Sequence, residues 1–157
     1  GVQTCALPIW ILSGLYGCVR PFHAVEPYRL EMGAKLVVDG ARDLYAFWSD
    51  KLARAIAPAG SNTTIVNLAS VEYAKAVLPH LAGDATAVTC LFGEGIRNGK
   101  PIQRSTASKK ARGSMVRWMA ENKLEDAAGL TDFNIGYRHA PEISHPGTLV
   151  FINEQML

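Results

Sequence analysis

Apolar and polar positions alternate between two periods along this chain. Ile9 to Leu12 forms an apolar run that reads as a buried strand. Ser13-Gly14-Leu15-Tyr16-Gly17 follows, then Pro21 and Pro27, which mark a structured loop in which Pro21 pushes Arg20 towards extended backbone. From Tyr28 the pattern alternates, with Tyr28, Leu30 and Met32 on one side and Arg29 and Glu31 on the other. That predicts a short strand ending at Gly33. Between Asp43 and Ile56, Leu44, Phe47, Trp48, Leu52 and Ile56 recur at helical spacing, with Asp43 as cap and Pro58-Ala59-Gly60 as stop. Thr63 to Ala69 is β-branched and apolar, a core strand. Ser70 with Glu72 to Leu78 predicts a short helix closed by Pro79.

The second half repeats this mixture. Ala85 to Phe92 is another apolar run, and Gly93 to Gly99 a glycine-rich turn. If Ile102 continues an extended segment, the two form a hairpin. Ser108 to Leu124 is the clearest helix: Ala111, Met115, Trp118, Met119 and Asn122 share one side, Lys110, Ser114, Arg117 and Glu121 the other. Thr148 to Ile152 predicts a last strand. The fold class is α+β, a mixed sheet with packed helices. At 157 residues, 48% of them hydrophobic, the chain has the size of one domain. Its apolar runs fall short of the ~18 residues of a membrane helix. Cys5, Cys18 and Cys90 are too scattered for a disulfide framework, so the chain reads as reduced and cytoplasmic, with no membrane partner.

Net charge is only +2, yet eight of the 16 Lys and Arg lie between Arg97 and Lys123 against one acid, Glu121. Lys109, Lys110 and Arg112 fall near the start of the last helix, where the macrodipole disfavours cations unless an anion joins them. Gly113 would let a phosphate or another backbone come close. A polyanion-binding face and a solvated helix face both fit this block. Ser13-Gly14-x-x-Gly17 lacks the spacing of a phosphate loop and reads as a tight turn. Arg29 and Glu31 suit an ion pair, or more pointedly a substrate clamp. Asn67 and Ser70 stand at the carboxyl end of a core strand, where α/β sheets place their sites, although Ser70 also suits a helix cap. His23, His80, His139 and His145 show no ligand spacing, and no metal site or cofactor is expected. Cys18 and Cys90 read as small buried hydrophobes.

Ser13-Gly-Leu-Tyr-Gly-Cys-Val-Arg-Pro21 with Pro27-Tyr-Arg-Leu-Glu-Met-Gly33 closely resembles the signature of the YaaA-type peroxide-stress resistance proteins. The likeness continues through Asp43 to Trp48, Val66 to Ser70 with Glu72-Tyr73, Lys109-Lys-Ala-Arg-Gly113 with Met115 and Arg117, and Phe133-Asn134. The resemblance implies an unusual mixed fold and a cytosolic protein that protects against hydrogen peroxide. It further implies a limit on free intracellular iron and binding of double-stranded or branched DNA through a basic cleft. Lys109, Lys110, Arg112 and Arg117 match family positions for that cleft, as do Arg20, Arg29 and Glu31. No direct iron site is expected, since clustered carboxylates and histidines are not visible. The alternative is an enzyme acting on a nucleobase or nucleotide, with Glu31, Asn67, Ser70 and Glu72 around the cations. Residues 1–9 match none of the family pattern and are expected to be a non-native leader. Residues 10–157 then form the C-terminal portion of one YaaA-like domain whose N-terminal portion is missing. Val71 replaces a common acid, and Ser105 to Ser108 replaces a more aromatic run.

Overall fold

A computed structural model describes residues 8–156. Most of the leader expected over residues 1–9 therefore lies outside the described residues. The chain forms two compact units, one of residues 8–65 and 69–86, the other of residues 66–68 and 87–156.

In the first unit, β1 (Ile11–Ser13) pairs antiparallel with β2 (Gly17–Val19). The turn between them needs Gly17, whose φ of +75° suits glycine and whose Cβ would lie 2.8 Å from Trp48 and Leu52. Ser13 is buried and its Oγ accepts from the Tyr16 amide at 2.9 Å. The buried strand expected over Ile9 to Leu12 is found only in part: pairing begins at Ile11, whose side chain is 49% exposed. Nor do Tyr28 to Met32 form a strand. The Ala34 amide closes a turn onto Glu31 O, and the Gly33 amide donates to Glu72 Oε1 at 2.7 Å, so these donors never face a neighbouring strand.

Asp43 caps as expected, its Oδ1 accepting from the Ala46 amide at 2.8 Å. The single helix expected to Ile56 is two, α1 (Leu44–Trp48) and α2 (Lys51–Ile56), because Ser49 has a φ of +46°. Both supply the core of this unit, where Leu44, Leu52 and Ala53 meet Met32, Ala76 and Val77. Trp48 Nε1 donates to Gly14 O at 3.0 Å, tying α1 to the glycine loop. β3 (Thr64–Asn67) and α3 (Val71–Ala74) follow, and Pro79 lies in a 3₁₀ turn over Leu78–His80.

A four-stranded mixed sheet runs in the order β3, β4 (Thr86–Gly93), β8 (Thr148–Asn153), β7 (Tyr137–His139). β4 and β8 are parallel, and β7 and β8 antiparallel. The fold class is thus α+β, as read from the pattern. Beyond β4, β5 (Ile96–Arg97) and β6 (Lys100–Pro101) make a small antiparallel hairpin. Asn98 and Gly99 at its tip have φ of +51° and +69°, the geometry that Asn-Gly favours in two-residue hairpin turns.

α4 (Ser105–Glu121) is the longest helix. Ala111, Met115 and Met119 bury against Cys90, Phe92, Leu130, Phe133, Tyr137 and Phe151. Phe92 is the hub, with ring centroids 5.4 Å from Tyr137 and Phe151 and 6.0 Å from Phe133. Asn122, expected on the buried side, is exposed. It ends the helix by donating from its Nδ2 to Trp118 O at 2.8 Å.

Candidate nucleic-acid interface

The basic block of the sequence lies on the second unit. On α4 the buried residues recur every three or four positions, which turns Thr106, Lys109, Lys110, Gly113 and Arg117 outward. Arg104 occupies the N-cap position without a side-chain cap, and the first turn holds no acid. An open depression of about 460 Å³ there is lined by Arg104, Ser105, Thr106, Ala107 and Lys110. Among the described residues neither Lys109 nor Lys110 has an ion-pair partner. Two cations within two turns of the positive helix end, uncompensated, leave a local field that an anion would relieve.

The other two predicted cations of α4 differ. Arg112 lies at the edge of the buried stripe, half-buried, with a buried Nε that has no hydrogen-bond partner among the described groups. Burial pushes its pKa down from its ordinary high value. Arg117 donates from Nε to Glu121 Oε1 at 2.7 Å, and both side chains are largely exposed. The Glu121 carboxylate raises the Arg117 pKa through that hydrogen bond and through charge. Arg117 therefore already has an acid for a partner where it stands.

Arg20, Arg29, Glu31 and Ser70 all belong to the first unit. The Arg20 guanidinium sits 3.9 Å from the centroid of the Trp10 ring, a cation–π contact on an exposed residue. Arg29 and Glu31 are exposed and form no ion pair with each other, so the expected pair is not made. The strand that would have set them side by side is absent. Ser70 precedes α3 at its cap position, but its side chain makes no capping bond. Glu72, offered as a polar group for chemistry, is engaged by the Gly33 amide instead. Asn67 belongs to the second unit, where it is buried and its Nδ2 donates to Thr89 Oγ1 at 3.1 Å.

A polar cluster that the sequence reading missed stands at the carboxyl ends of parallel β4 and β8. Glu94 accepts from Tyr137 OH at 2.7 Å on one oxygen and from Asn153 Nδ2 at 3.1 Å on the other. Burial first, then the Glu94 carboxylate, pushes the Tyr137 phenol up to about 12. The only signal for it in the sequence is an acid between Gly93 and Gly95, directly after an apolar run. Cys90, on β4, is buried in the core, and burial pushes its thiol up to about 12. Cys18 is also a free thiol, raised by partial burial and lowered slightly by Arg20. Among the described residues no three of His, Cys, Asp and Glu gather as a metal site would need, and no helix is long and apolar enough to cross a membrane.

These features define an α+β protein whose longest helix carries a row of cations on its outer face. The chain belongs to the peroxide stress protein YaaA family, which it matches over residues 3–143. It is 44% identical over 143 residues to a UPF0246 protein of Desulfitobacterium hafniense, covering 90% of this chain and 56% of that protein. A UPF0246 protein of Limosilactobacillus reuteri is 45% identical over 142 residues, with the same shares. One from Ligilactobacillus salivarius is 38% identical over 152 residues, 96% of this chain and 60% of that protein. The chain thus spans little more than half the length of these curated relatives.

Proposed function

We propose that this chain supplies a DNA-binding surface of a peroxide stress protein, with Lys109 and Lys110 of α4 meeting the phosphates of double-stranded or branched DNA. The observation that carries the reading is the pair of exposed lysines, without ion-pair partners among the described residues, near the positive end of a long helix with no acid in its first turn. Arg104 and Thr106 beside them add donors of the kind that hold phosphate oxygens. Arg112 and Arg117 join this surface only by exchanging present surroundings, Arg117 by leaving Glu121. Arg20 and Arg29, which match family positions, are exposed cations of the first unit. Protection in the cytoplasm would come from occupying DNA that peroxide chemistry attacks, and a limit on free iron would be an indirect effect.

The test is fluorescence anisotropy of a labelled duplex titrated with the full-length protein at several salt concentrations. Each phosphate contact contributes about 0.9 to the slope of log K against log salt. Lys109→Gln with Lys110→Gln should therefore lower the slope by up to about 1.8, nearly equally for all base sequences. An unchanged slope and affinity in a folded variant would leave α4 as a solvated face.

A further inference from the structure

The β5–β6 hairpin carries an electrostatic conflict that no ion pair among the described residues resolves. Arg97 and Lys100 are direct cross-strand partners on either side of the Asn98-Gly99 turn, and both are exposed. Like charges at facing positions of an antiparallel pair are destabilising. Among the described residues neither has an acid to pair with. Ile96 and Pro101 occupy the other face of the ribbon. Pro101 packs over Gly93, since a Cβ placed on Gly93 would lie 2.7 Å from Pro101 Cβ. The ribbon is thus seated on its apolar face and presents its cations from the opposite one. Ile96 nevertheless stays 42% exposed beside them.

We infer that this hairpin is a ribbon that enters the major groove of duplex DNA, with Arg97 and Lys100 on phosphates at the groove edge and Asn98 at the base edges. The inference rests on the nucleic-acid reading of α4 and extends it to a second element of the same unit. Size decides the groove. A two-stranded ribbon about 10 Å thick with its side chains fits the ~12 Å major groove of B-DNA and not the ~6 Å minor groove. Beyond the seated Ile96–Pro101 rung, Arg97 and Asn98 advance the backbone by about 7 Å, and the Asn98 side chain at the tip covers the rest of the ~8.5 Å groove depth. The Asn-Gly turn holds the tip in one conformation, so little ordering is needed on binding. Asn98 offers a carbonyl and an amide of the kind that reads the N6 and N7 edge of adenine. Duplex RNA, whose major groove is too narrow for side chains to read, should not be recognised this way.

The experiment compares three full-length proteins on duplex DNA: wild type, Arg97→Gln/Lys100→Gln, and Lys109→Gln/Lys110→Gln. The hairpin variant should lower the salt slope by up to about 1.8, which is up to about 30-fold in affinity at 0.15 M salt. Wild type should protect guanine N7 from methylation within the footprint, and the hairpin variant should lose that protection. A fourth protein, Asn98→Gly, keeps the positive φ of the turn and should keep the salt slope while losing discrimination between duplexes, because it removes a base-edge group and no charge. A hairpin variant with wild-type slope and N7 protection, beside a lysine variant that lowers the slope, would overturn the ribbon and leave the α4 surface standing. Equal affinity of wild type for duplex RNA would also overturn groove entry. Wild type that binds no duplex would remove both readings together.

Discussion

Two glycines of the second unit should respond in opposite senses to the same substitution. Gly93 ends β4, and a Cβ there would lie 2.7 Å from Pro101 Cβ, 3.0 Å from Ile152 Cδ1 and 3.1 Å from Gly95 O. The nearest neighbour is a proline ring carbon and another is backbone, while the Ile152 methyl belongs to a fully buried side chain with little room to turn away. Pro101 is fixed by its ring, and hydrogen bonds from Glu94 N to Ile102 O and from Ile102 N to Gly95 O, both 2.8 Å, clamp the base of the hairpin. Ordinary contact would require the ribbon to lift by several tenths of an ångström against those bonds. Overpacking of this kind costs about 1–3 kcal/mol, so Gly93→Ala should be destabilising by that amount.

Gly113 is the opposite case. It lies inside α4, exposed, with nothing within 4 Å of a new Cβ, so Gly113→Ala should stabilise by about 0.5–1 kcal/mol through helix propensity. Urea unfolding followed by circular dichroism reads both, as shifts of midpoint at constant slope. If phosphate approaches α4 closely at Gly113, the same variant should bind duplex more weakly while melting later. Equal midpoints for the two variants would refute the reasoning, because a methyl forced against Pro101 at a strand end and one added in open space on a helix must act in opposite senses.

Other outcomes follow from single contacts. Asp43→Ala removes the side-chain acceptor of the Ala46 amide and should lower stability by about 0.5–2 kcal/mol, with Asp43→Asn retaining most of it, read by the same urea midpoint. For Cys90, burial raises the folded-state thiol from its ordinary 9.0 to about 12, so the unfolded chain loses its proton first. Stability from this group is complete below pH 9 and declines as pH climbs towards 12, by about 1.4 kcal/mol per pH unit, which a series of urea midpoints in the Cys90→Ala background should flatten.

Local chemistry was legible in the sequence and pairing at a distance was not. The Asp43 cap, the β4 and β8 runs and the buried stripe of α4 depend on neighbours a few residues away, and the structure contains them with shifted ends. Tyr28 to Met32 alternated as a strand would, but Gly33 and Glu72 drew the backbone into a turn. Tyr137–His139 carried no signal over three residues and is a strand only because β8 pairs with it. The density of cations near α4 was readable, and so in principle was the i,i+4 spacing of Arg117 and Glu121. The cluster on Glu94 was not, since its partners stand 43 and 59 positions away.

The parallel pairing of β4 with β8 joins residues 59 positions apart, as with Gly93 and Ile152. At a synthesis rate of about 5–20 residues per second, β4 leaves the ribosome roughly 3–12 s before the strand that will lie beside it. Through that interval Cys90 and Phe92 belong to an unfinished sheet, on a timescale far longer than the microseconds of hairpin closure. Such an unpaired apolar edge is what chaperones bind and what other nascent chains can capture. The order of strands in this sheet therefore makes the pace of its synthesis, as well as its final contacts, a determinant of how much folded protein a cell obtains.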